Sequence, residues 1–288
     1  MSNLSIPAPT REVLVFPSES RQLLDPYLPS EKHRSSDLPF ITLTFAMSLD
    51  SMISAAPGVQ TALSGLESKA MTHYLRSKHS AILVGVGTAV ADNPSLNCRT
   101  EGVGGYGGEG LEGQPQPIVV DPTARWDVEN PKKILQLACT GRGRAPWIIT
   151  TLSLDQIPDA RKKALDQAGG KYISLPSLST ADGRLLDWKL MMSRLKVEGI
   201  ESIMIEGGGN VINTLLQPPN TTMVDSVIVT IAPVWLGQGG VMISPPRQAN
   251  EDANSRAPLR LRDSKWYQFG EDSVLCGRIQ RSSRVSVD

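Results

Sequence analysis

Two glycine-rich turns in this chain have the composition of anion-binding corners. The first, Gly85-Val-Gly87-Thr88, follows the apolar run SAILV, and the second, Glu206-Gly-Gly-Gly209-Asn210, follows ESIMI. A glycine turn that opens a helix lets the backbone approach a pyrophosphate, and the unpaired amide groups favour its charge. Either turn alone could equally be a tight strand-to-helix connection. Two such turns in one chain favour a dinucleotide site.

Neither turn completes the G-x-G-x-x-G fingerprint of a Rossmann fold. Val90 and Ile212 stand where the third glycine is required. Asp225, the nearest later acid after the second turn, begins the next strand, whereas the ribose-binding acid of a Rossmann fold lies at that strand's far end. Ordinary Rossmann binding is therefore disfavoured.

The histidines and cysteines do not predict a metal site. His73 and His79 lie within or just after a predicted helix, without i, i+4 spacing or nearby Cys and Glu ligands, and are interpreted as surface or packing residues. The cysteines, Cys98, Cys139 and Cys276, form no CxxC pair. They are interpreted as core or strand residues, although Cys98 could also line a pocket.

Apolar, β-branched runs predict the strands that position these residues. Most runs are continuous rather than alternating, as in strands covered on both faces. Helical segments separate several of them, and a capping box of Ser64 and Glu67 predicts one more helix, through about Lys78. The predicted strands are 40–48, 80–85, 117–121, 146–151, 171–175, 201–206 and 225–233, and the other predicted helices are about 155–168, 184–199 and 209–216.

Alternating strands and helices predict an α/β fold with a mostly parallel central sheet and helices on both sides. The segment KWYQFGEDSVLCGRI, residues 265–279, predicts a C-terminal antiparallel hairpin at one edge. Residues 1–39 are rich in Pro, Ser and charge and are expected to form an N-terminal extension without chemistry. Residues 40–288 are expected to form one domain. Within it, the glycine-rich segment 101–113 is interpreted as a mobile loop, with a phosphate-cradling role as the alternative.

Composition limits the partners. Lysine plus arginine equals aspartate plus glutamate at 29 each, so no overall field favours nucleic acid or an anionic membrane. No apolar run approaches the roughly 20 residues of a membrane span, and the N-terminus lacks the pattern of a secretory signal. We therefore expect a cytoplasmic protein that binds neither membrane nor nucleic acid.

Five segments together resemble the reductase family of riboflavin biosynthesis, above all its fungal members. They are SLD at 48–50, Leu75-Arg76, LVGVGTAVADNPSLNCR at 83–99, MIEGGGNVINTLL at 204–216 and VDSVIVTIAPVWLG at 224–237. The resemblance runs in consistent order from about residue 40 to residue 280. It implies a fold similar to that of dihydrofolate reductase, NADPH as cofactor and a homodimer.

The resemblance also implies site residues. NADPH contacts fall on Thr88, Asp92, Gly207, Gly208, Gly209, Asn210 and Val211, with Ile173 as a candidate for the adenine side. Substrate contacts fall on Arg76, Leu96, Arg99 and Glu206. Arginine's planar fork suits phosphate oxygens, so Arg76 and Arg99 are expected to bind a ribose 5-phosphate. Glu206 is the catalytic candidate, because it could orient the substrate or supply a proton.

Simpler roles remain open for two of these residues. Arg76, near a helix end, could complement the helix dipole. Asp92 precedes Asn-Pro and could serve only to form a turn. Asp50 of the SLD segment is interpreted as structural. The chain also departs from many bacterial relatives at Thr44, Ser51 and Ala62, where they have lysine, glycine and tryptophan.

The implied reaction is NADPH-dependent reduction of 2,5-diamino-6-ribosylamino-4(3H)-pyrimidinone 5′-phosphate to its ribitylamino form, with hydride delivered to C1′ of the ring-opened imine. Two alternatives remain. One is a dihydrofolate-type pterin reductase, although such a site has less need of two phosphate-binding arginines. The other is a nucleotide-binding homologue without activity, which the departures at Thr44, Ser51 and Ala62 leave open.

Overall fold

The computed structural model describes residues 12–30, 36–130, 132–180, 183–245 and 258–280. The strands are β1 (Phe40–Met47), β2 (Met52–Ser54), β3 (Ala81–Gly85), β4 (Val103–Gly104), β5 (Gly107–Gly108), β6 (Gln116–Val120), β7 (Trp147–Thr150), β8 (Lys171–Ser174), β9 (Ser177–Thr180), β10 (Gly183–Leu186), β11 (Ser202–Gly207), β12 (Ser226–Ile231), β13 (Val241–Met242), β14 (Leu261–Phe269) and β15 (Asp272–Ile279). The α-helices are α1 (Ser18–Leu24), α2 (Leu66–Ser77), α3 (Val86–Asp92), α4 (Lys133–Cys139), α5 (Asp159–Gln167), α6 (Trp188–Val197) and α7 (Gly209–Leu215).

A nine-stranded sheet in the order β14-β15-β12-β1-β11-β3-β6-β7-β8 forms the centre. The strands from β12 to β8 are parallel to one another. β15 is antiparallel to β12, and β14 is antiparallel to β15. The predicted α/β class, mostly parallel sheet and C-terminal antiparallel hairpin are confirmed.

Alternate residues of the central strands face opposite helix layers. In β3, Ala81 and Leu83 join a core cluster with residues of α6 and α7. Ile82 and Val84 join a second cluster with residues of α3, α4 and α5. Both faces are therefore apolar, which explains why the strand sequence is continuous rather than alternating.

Two predicted helix starts are wrong. α2 begins at Leu66 with Gly65 as its N-cap and no side-chain cap, so Ser64 and Glu67 do not form the predicted capping box. The Gly65 N–H instead donates to Asp272 Oδ2 at 2.8 Å, a tertiary partner that the local pattern cannot reveal. The helix predicted to begin at residue 184 begins at Trp188, because the preceding residues form the β9–β10 hairpin.

The glycine-rich segment 101–113 is compact. Val103 and Tyr106 are buried, and the short strands β4 and β5 pair in parallel. The Gln114 side chain donates to the carbonyls of Cys98 at 2.7 Å and Gly104 at 2.8 Å. These contacts do not fit the interpretation of this segment as a mobile loop.

The described part of the N-terminal extension packs on the core. Phe16, Leu24 and Tyr27 are buried in a cluster with residues of α2 and β15. Leu14 forms a parallel bridge with Thr100. Within the described residues, no helix has both the length and the apolar composition that crossing a bilayer requires.

Candidate active site

A cleft of about 1840 Å³ opens at the carboxyl ends of the central parallel strands. Phe45 and Ala46 of β1, Gly85 of β3, Val120 of β6 and Glu206 of β11 border it. Ligands of open α/β sheets bind outside this edge. The volume exceeds the roughly 300 to 1,000 Å³ of a typical ligand pocket.

The two glycine turns meet at the floor of this cleft. They follow β3 and β11, which are adjacent parallel strands with Gly207 opposite Val84. A Cβ atom on Gly85 would lie 3.0 Å from Val211 Cγ2, and one on Gly208 would lie 3.0 Å from Thr88 Oγ1. Gly208 also has φ +67°, which side-chain-bearing residues rarely adopt. Glycine therefore lets the two turns pack into one continuous surface.

Six of the eight residues expected to contact the cofactor line the cleft, and two do not. The residues that line the cleft are Thr88, Asp92, Gly208, Gly209, Asn210 and Val211. Gly207 ends β11 immediately before them. Ile173 lies in β8 within the buried core and is not among the residues that line the cleft. Burial raises the pKa of the Asp92 carboxyl, while Lys133, which also lines the cleft, opposes the shift.

Arg76 and Glu206 form a two-pronged ion pair in the cleft wall. Arg76 Nε donates to Glu206 Oε1 at 2.6 Å, and Nη2 donates to Oε2 at 2.5 Å. Arg76 Nη1 donates to the Asn97 carbonyl at 2.9 Å. The two side chains are only 13% and 15% exposed. Burial alone would lower the pKa of the Arg76 guanidinium, but the Glu206 carboxylate outweighs burial and raises it. The helix-dipole interpretation of Arg76 is therefore insufficient.

Arg99 borders the same cleft with different partners. Its Nη1 donates to the Glu12 carbonyl at 2.7 Å, and its Nη2 lies 3.5 Å from His73 Nε2. The Arg99 backbone N–H donates to His73 Nδ1 at 3.0 Å. Arg99 is 5% exposed and His73 is also 5% exposed, yet both reach the cleft wall.

Leu96 is placed differently from the other expected substrate residues. Its side chain is 2% exposed and packs in the cluster with Ala89 and Trp126. It has φ +48° and is not among the residues that line the cleft, whereas its neighbours Pro94 and Ser95 are. Leu96 therefore stands beneath the wall that Pro94 and Ser95 form.

His73 is a cleft residue that the sequence analysis did not assign to the site. Together with Lys69, Thr72 and Arg76 it lines the cleft from one face of α2. The spacing i, i+3, i+4 and i+7 is the signal that could have grouped these four residues.

His79, by contrast, packs in the core, which agrees with its interpretation as a packing residue. It contacts Thr42 Oγ1 and the Leu75 carbonyl, each at 2.7 Å, and burial lowers its pKa to about 4.

Trp188, Asp187, Arg125 and Lys133 also line the cleft without having been singled out from the sequence. They lie in the segments after β6 and β10. The strand pattern alone does not show that these segments approach the two glycine turns.

Asp50 accepts hydrogen bonds from the backbone N–H groups of Leu236 at 3.1 Å and Gly237 at 2.7 Å. These bonds fit its structural interpretation.

The three departures from the bacterial pattern occupy different settings. Thr44 is a buried residue of β1, 6% exposed. Ser51 has φ +63°, a conformation in which glycine is less strained. Ala62 lines the cleft. Of the three, only Ala62 could contact a ligand there.

Comparison with known proteins agrees with this geometry. Residues 39–275 match the RibD C-terminal domain. The chain belongs to the RibD C-terminal domain family. It is 42% identical over 263 residues to 2,5-diamino-6-ribosylamino-4(3H)-pyrimidinone 5′-phosphate reductase of Debaryomyces hansenii, with 90% of this chain and 96% of that protein covered. The protein of the same description from Saccharomyces cerevisiae is 37% identical over 260 residues, covering 90% and 94%.

Solved structures show the same RibD-family fold. The Saccharomyces riboflavin biosynthesis reductase Rib7 superposes with a TM-score of 0.70 at 34% identity, covering 91% of this chain and all of that chain. RibD of Acinetobacter baumannii superposes with a TM-score of 0.64 at 20% identity, covering 86% of this chain and 60% of that chain. The family predicted from the sequence is confirmed.

Proposed function

We propose that this chain reduces 2,5-diamino-6-ribosylamino-4(3H)-pyrimidinone 5′-phosphate to its ribitylamino form with NADPH. The observation that carries the proposal is the contact between the two glycine turns beside a wall that contains Arg76, Arg99 and Glu206. The curated fungal relatives that cover most of this chain bear the name of this reductase. Cofactor and substrate thereby have adjacent halves of one cleft.

The residues present fit a dinucleotide. The Gly208 to Val211 turn and Thr88 offer backbone and hydroxyl groups to a pyrophosphate, and Arg125 and Lys133 lie in the same cleft as cations for a further phosphate. When bound, NADPH supplies the hydride that C1′ of the substrate accepts. The protein contributes by aligning the two ligands. When the reacting atoms are held about 3 to 3.5 Å apart in the right orientation, much of the entropic part of the activation barrier is removed.

Arg99 and Glu206 have separate roles in this proposal. Arg99 binds the substrate phosphate, because it lines the cleft and the planar fork of its guanidinium suits phosphate oxygens. Glu206 is held in one orientation by both Arg76 hydrogen bonds. In this proposal its fixed carboxylate accepts hydrogen bonds from the ribose or amine end of the substrate. Proton delivery by Glu206 requires that substrate binding loosens this pair.

An oxidation assay tests the proposal. The purified chain is mixed with NADPH and the phosphoribosylaminopyrimidine, and the ribitylamino product is identified by mass. Loss of NADPH that depends on this substrate supports the proposal. Turnover with dihydrofolate in its place would establish the pterin reductase alternative. NADPH binding without turnover of either compound would establish the inactive homologue.

A homodimer in the cytoplasm completes the proposal, as the family resemblance implies. Trp235 is 75% exposed and Trp266 is 60% exposed, and large apolar side chains of this kind are common at interfaces. Sedimentation equilibrium of the purified chain distinguishes a dimer from a monomer of 31.1 kDa.

A further inference from the structure

Residues 12–16 run beside the loop that carries Arg99. The Leu14 N–H donates to the Arg99 carbonyl at 2.9 Å, and the Glu101 N–H donates to the Leu14 carbonyl at 3.3 Å. These bonds form the parallel bridge between Leu14 and Thr100. The N-terminal segment therefore holds the backbone on both sides of Thr100, directly after Arg99.

The same segment also holds the Arg99 side chain. The Glu12 carbonyl accepts from Arg99 Nη1 at 2.7 Å, across 87 residues of chain. His73 of α2 holds Arg99 from the other side, because its Nδ1 accepts from the Arg99 backbone N–H at 3.0 Å. This bond leaves the imidazole proton on Nε2, which packs 3.5 Å from Arg99 Nη2 without accepting from it. The guanidinium thus lies between the N-terminal segment and α2, with an edge at the cleft.

The N-terminal segment is itself anchored. Phe16 is 2% exposed, and its ring centroid lies 5.4 Å from those of Tyr74 and Phe269. Arg21 Nε donates to the Phe16 carbonyl at 2.8 Å. Because Tyr74 belongs to α2, the segment and His73 are attached to the same helix.

We propose that residues 12–14 and His73 are positioning elements for Arg99, which they hold at the cleft wall in the orientation that binds the substrate phosphate. The inference rests on the proposed function. A free arginine side chain has many rotamers, and binding a phosphate would require it to give up that freedom. Contacts made before binding remove part of this cost, which is the general benefit of preorganisation. The N-terminal extension then belongs to the substrate site.

Proline substitution tests the segment. Leu14→Pro removes the N–H that donates to the Arg99 carbonyl. We expect the KM for the phosphoribosylaminopyrimidine to rise about tenfold, the cost of about one hydrogen bond, while kcat and the NADPH dissociation constant change less than about twofold. Val15→Pro is the matched control, because Val15 is 62% exposed and its N–H makes no hydrogen bond among the described residues. An equal rise of KM in both variants would overturn the inference.

A double-mutant cycle tests whether the effect passes through Arg99. If the segment acts by holding Arg99, Leu14→Pro adds less than about twofold to KM when Arg99 is already alanine. Full additivity of the two substitutions would show that the segment acts elsewhere and would contradict the proposal. NADPH binding and thermal unfolding of each variant show whether the fold is intact.

Substitution of His73 gives an independent test that leaves the N-terminal segment untouched. His73→Asn keeps an acceptor close to the position of Nδ1, whereas His73→Ala removes it. We expect KM to rise about tenfold in the alanine variant and less than about threefold in the asparagine variant. Equal KM values in these two variants would contradict the positioning role. This test applies even if Leu14→Pro fails to fold.

The failure of the proposed function would be distinguishable. If the wild-type chain does not turn over the substrate, the affinity for inorganic phosphate is measured by calorimetry in the same set of variants. Weaker phosphate binding in Leu14→Pro and His73→Ala than in their controls would support the positioning of Arg99 even then. Equal phosphate affinity in variants and controls would overturn it.

Discussion

Arg76 and Arg99 stand at the wall of one cleft, yet their surroundings differ. Arg76 donates to the Glu206 carboxylate from Nε and Nη2, and to the Asn97 carbonyl from Nη1. Arg99 donates to the Glu12 carbonyl from its side chain and to the His73 imidazole from its backbone N–H. The first arginine therefore aligns a carboxylate and joins β11 to α2, whereas the second is the one that we propose as the phosphate ligand.

The largest expected effect is that of Arg99→Ala on substrate binding. The substrate KM should rise about a hundredfold, because a charge-assisted contact to the phosphate is lost. NADPH affinity should remain nearly unchanged. Steady-state kinetics with each ligand varied in turn measure both quantities. An equal loss of affinity for both ligands would contradict this role, since it would place Arg99 between the two halves of the cleft.

Glu206→Gln should change stability as well as catalysis. It leaves the largely buried Arg76 guanidinium without its counter-charge, which we expect to lower the free energy of unfolding by about 2 kcal/mol. Glu198→Gln is the control, because its partners Lys171 and Arg194 are 41% and 49% exposed and such pairs contribute little. Urea unfolding measures both variants. Equal, small losses would mean that Arg76 and Glu206 do not depend on each other.

Gly208→Ala should weaken cofactor binding and spare the arginines. With φ +67° the backbone is strained by any side chain, and the new Cβ displaces the Thr88 hydroxyl, which lies 3.0 Å away, so we expect about a tenfold loss of NADPH affinity. Gly169→Ala at φ +86° has open space around its Cβ and serves as the control for backbone strain. Fluorescence titration with NADPH separates the two. A large change in substrate KM with intact NADPH affinity would reverse the assignment of the two halves.

The smallest effect concerns His79, which contrasts with the cleft histidine His73. Burial lowers the pKa of His79 to about 4 in the folded chain, below its ordinary value of 6.5. The unfolded chain therefore binds more protons between these values, so stability falls as pH drops through this window. Between about pH 7 and pH 5.5 we expect a loss of about 1 kcal/mol from this group. Urea unfolding at both pH values measures it, and an unchanged pH dependence in His79→Asn would contradict the assignment.

Much of the fold could be predicted because its strands are local signals. The parallel strands and the terminal hairpin follow from continuous apolar runs that two helix layers bury. The start of α2 could not, because Gly65 is bound by Asp272 from a distant hairpin. The compact form of residues 101–113 depends likewise on Gln114 and on burial of Tyr106, which composition does not show.

The candidate site was predictable where motif and strand end coincide. Both glycine turns and the residues Thr88, Asp92, Arg76, Arg99 and Glu206 border the cleft or its floor. The ion pair between Arg76 and Glu206 could not be predicted from the sequence, because 130 residues separate them. They meet only because β3 and β11 are adjacent strands in the sheet. The contact of Glu12 with Arg99 was equally hidden.

The position of β1 between β11 and β12 has a consequence for how the chain is made. β1 pairs with Ser202 to Ile205 on one side and with Ser226 to Ile231 on the other, so its partners are synthesised long after it. Closing such distant pairs is slow compared with local contacts, and domains usually complete their fold as units during synthesis. The apolar surface of the first strand therefore stays uncovered by its sheet neighbours until residues 202–231 have been synthesised.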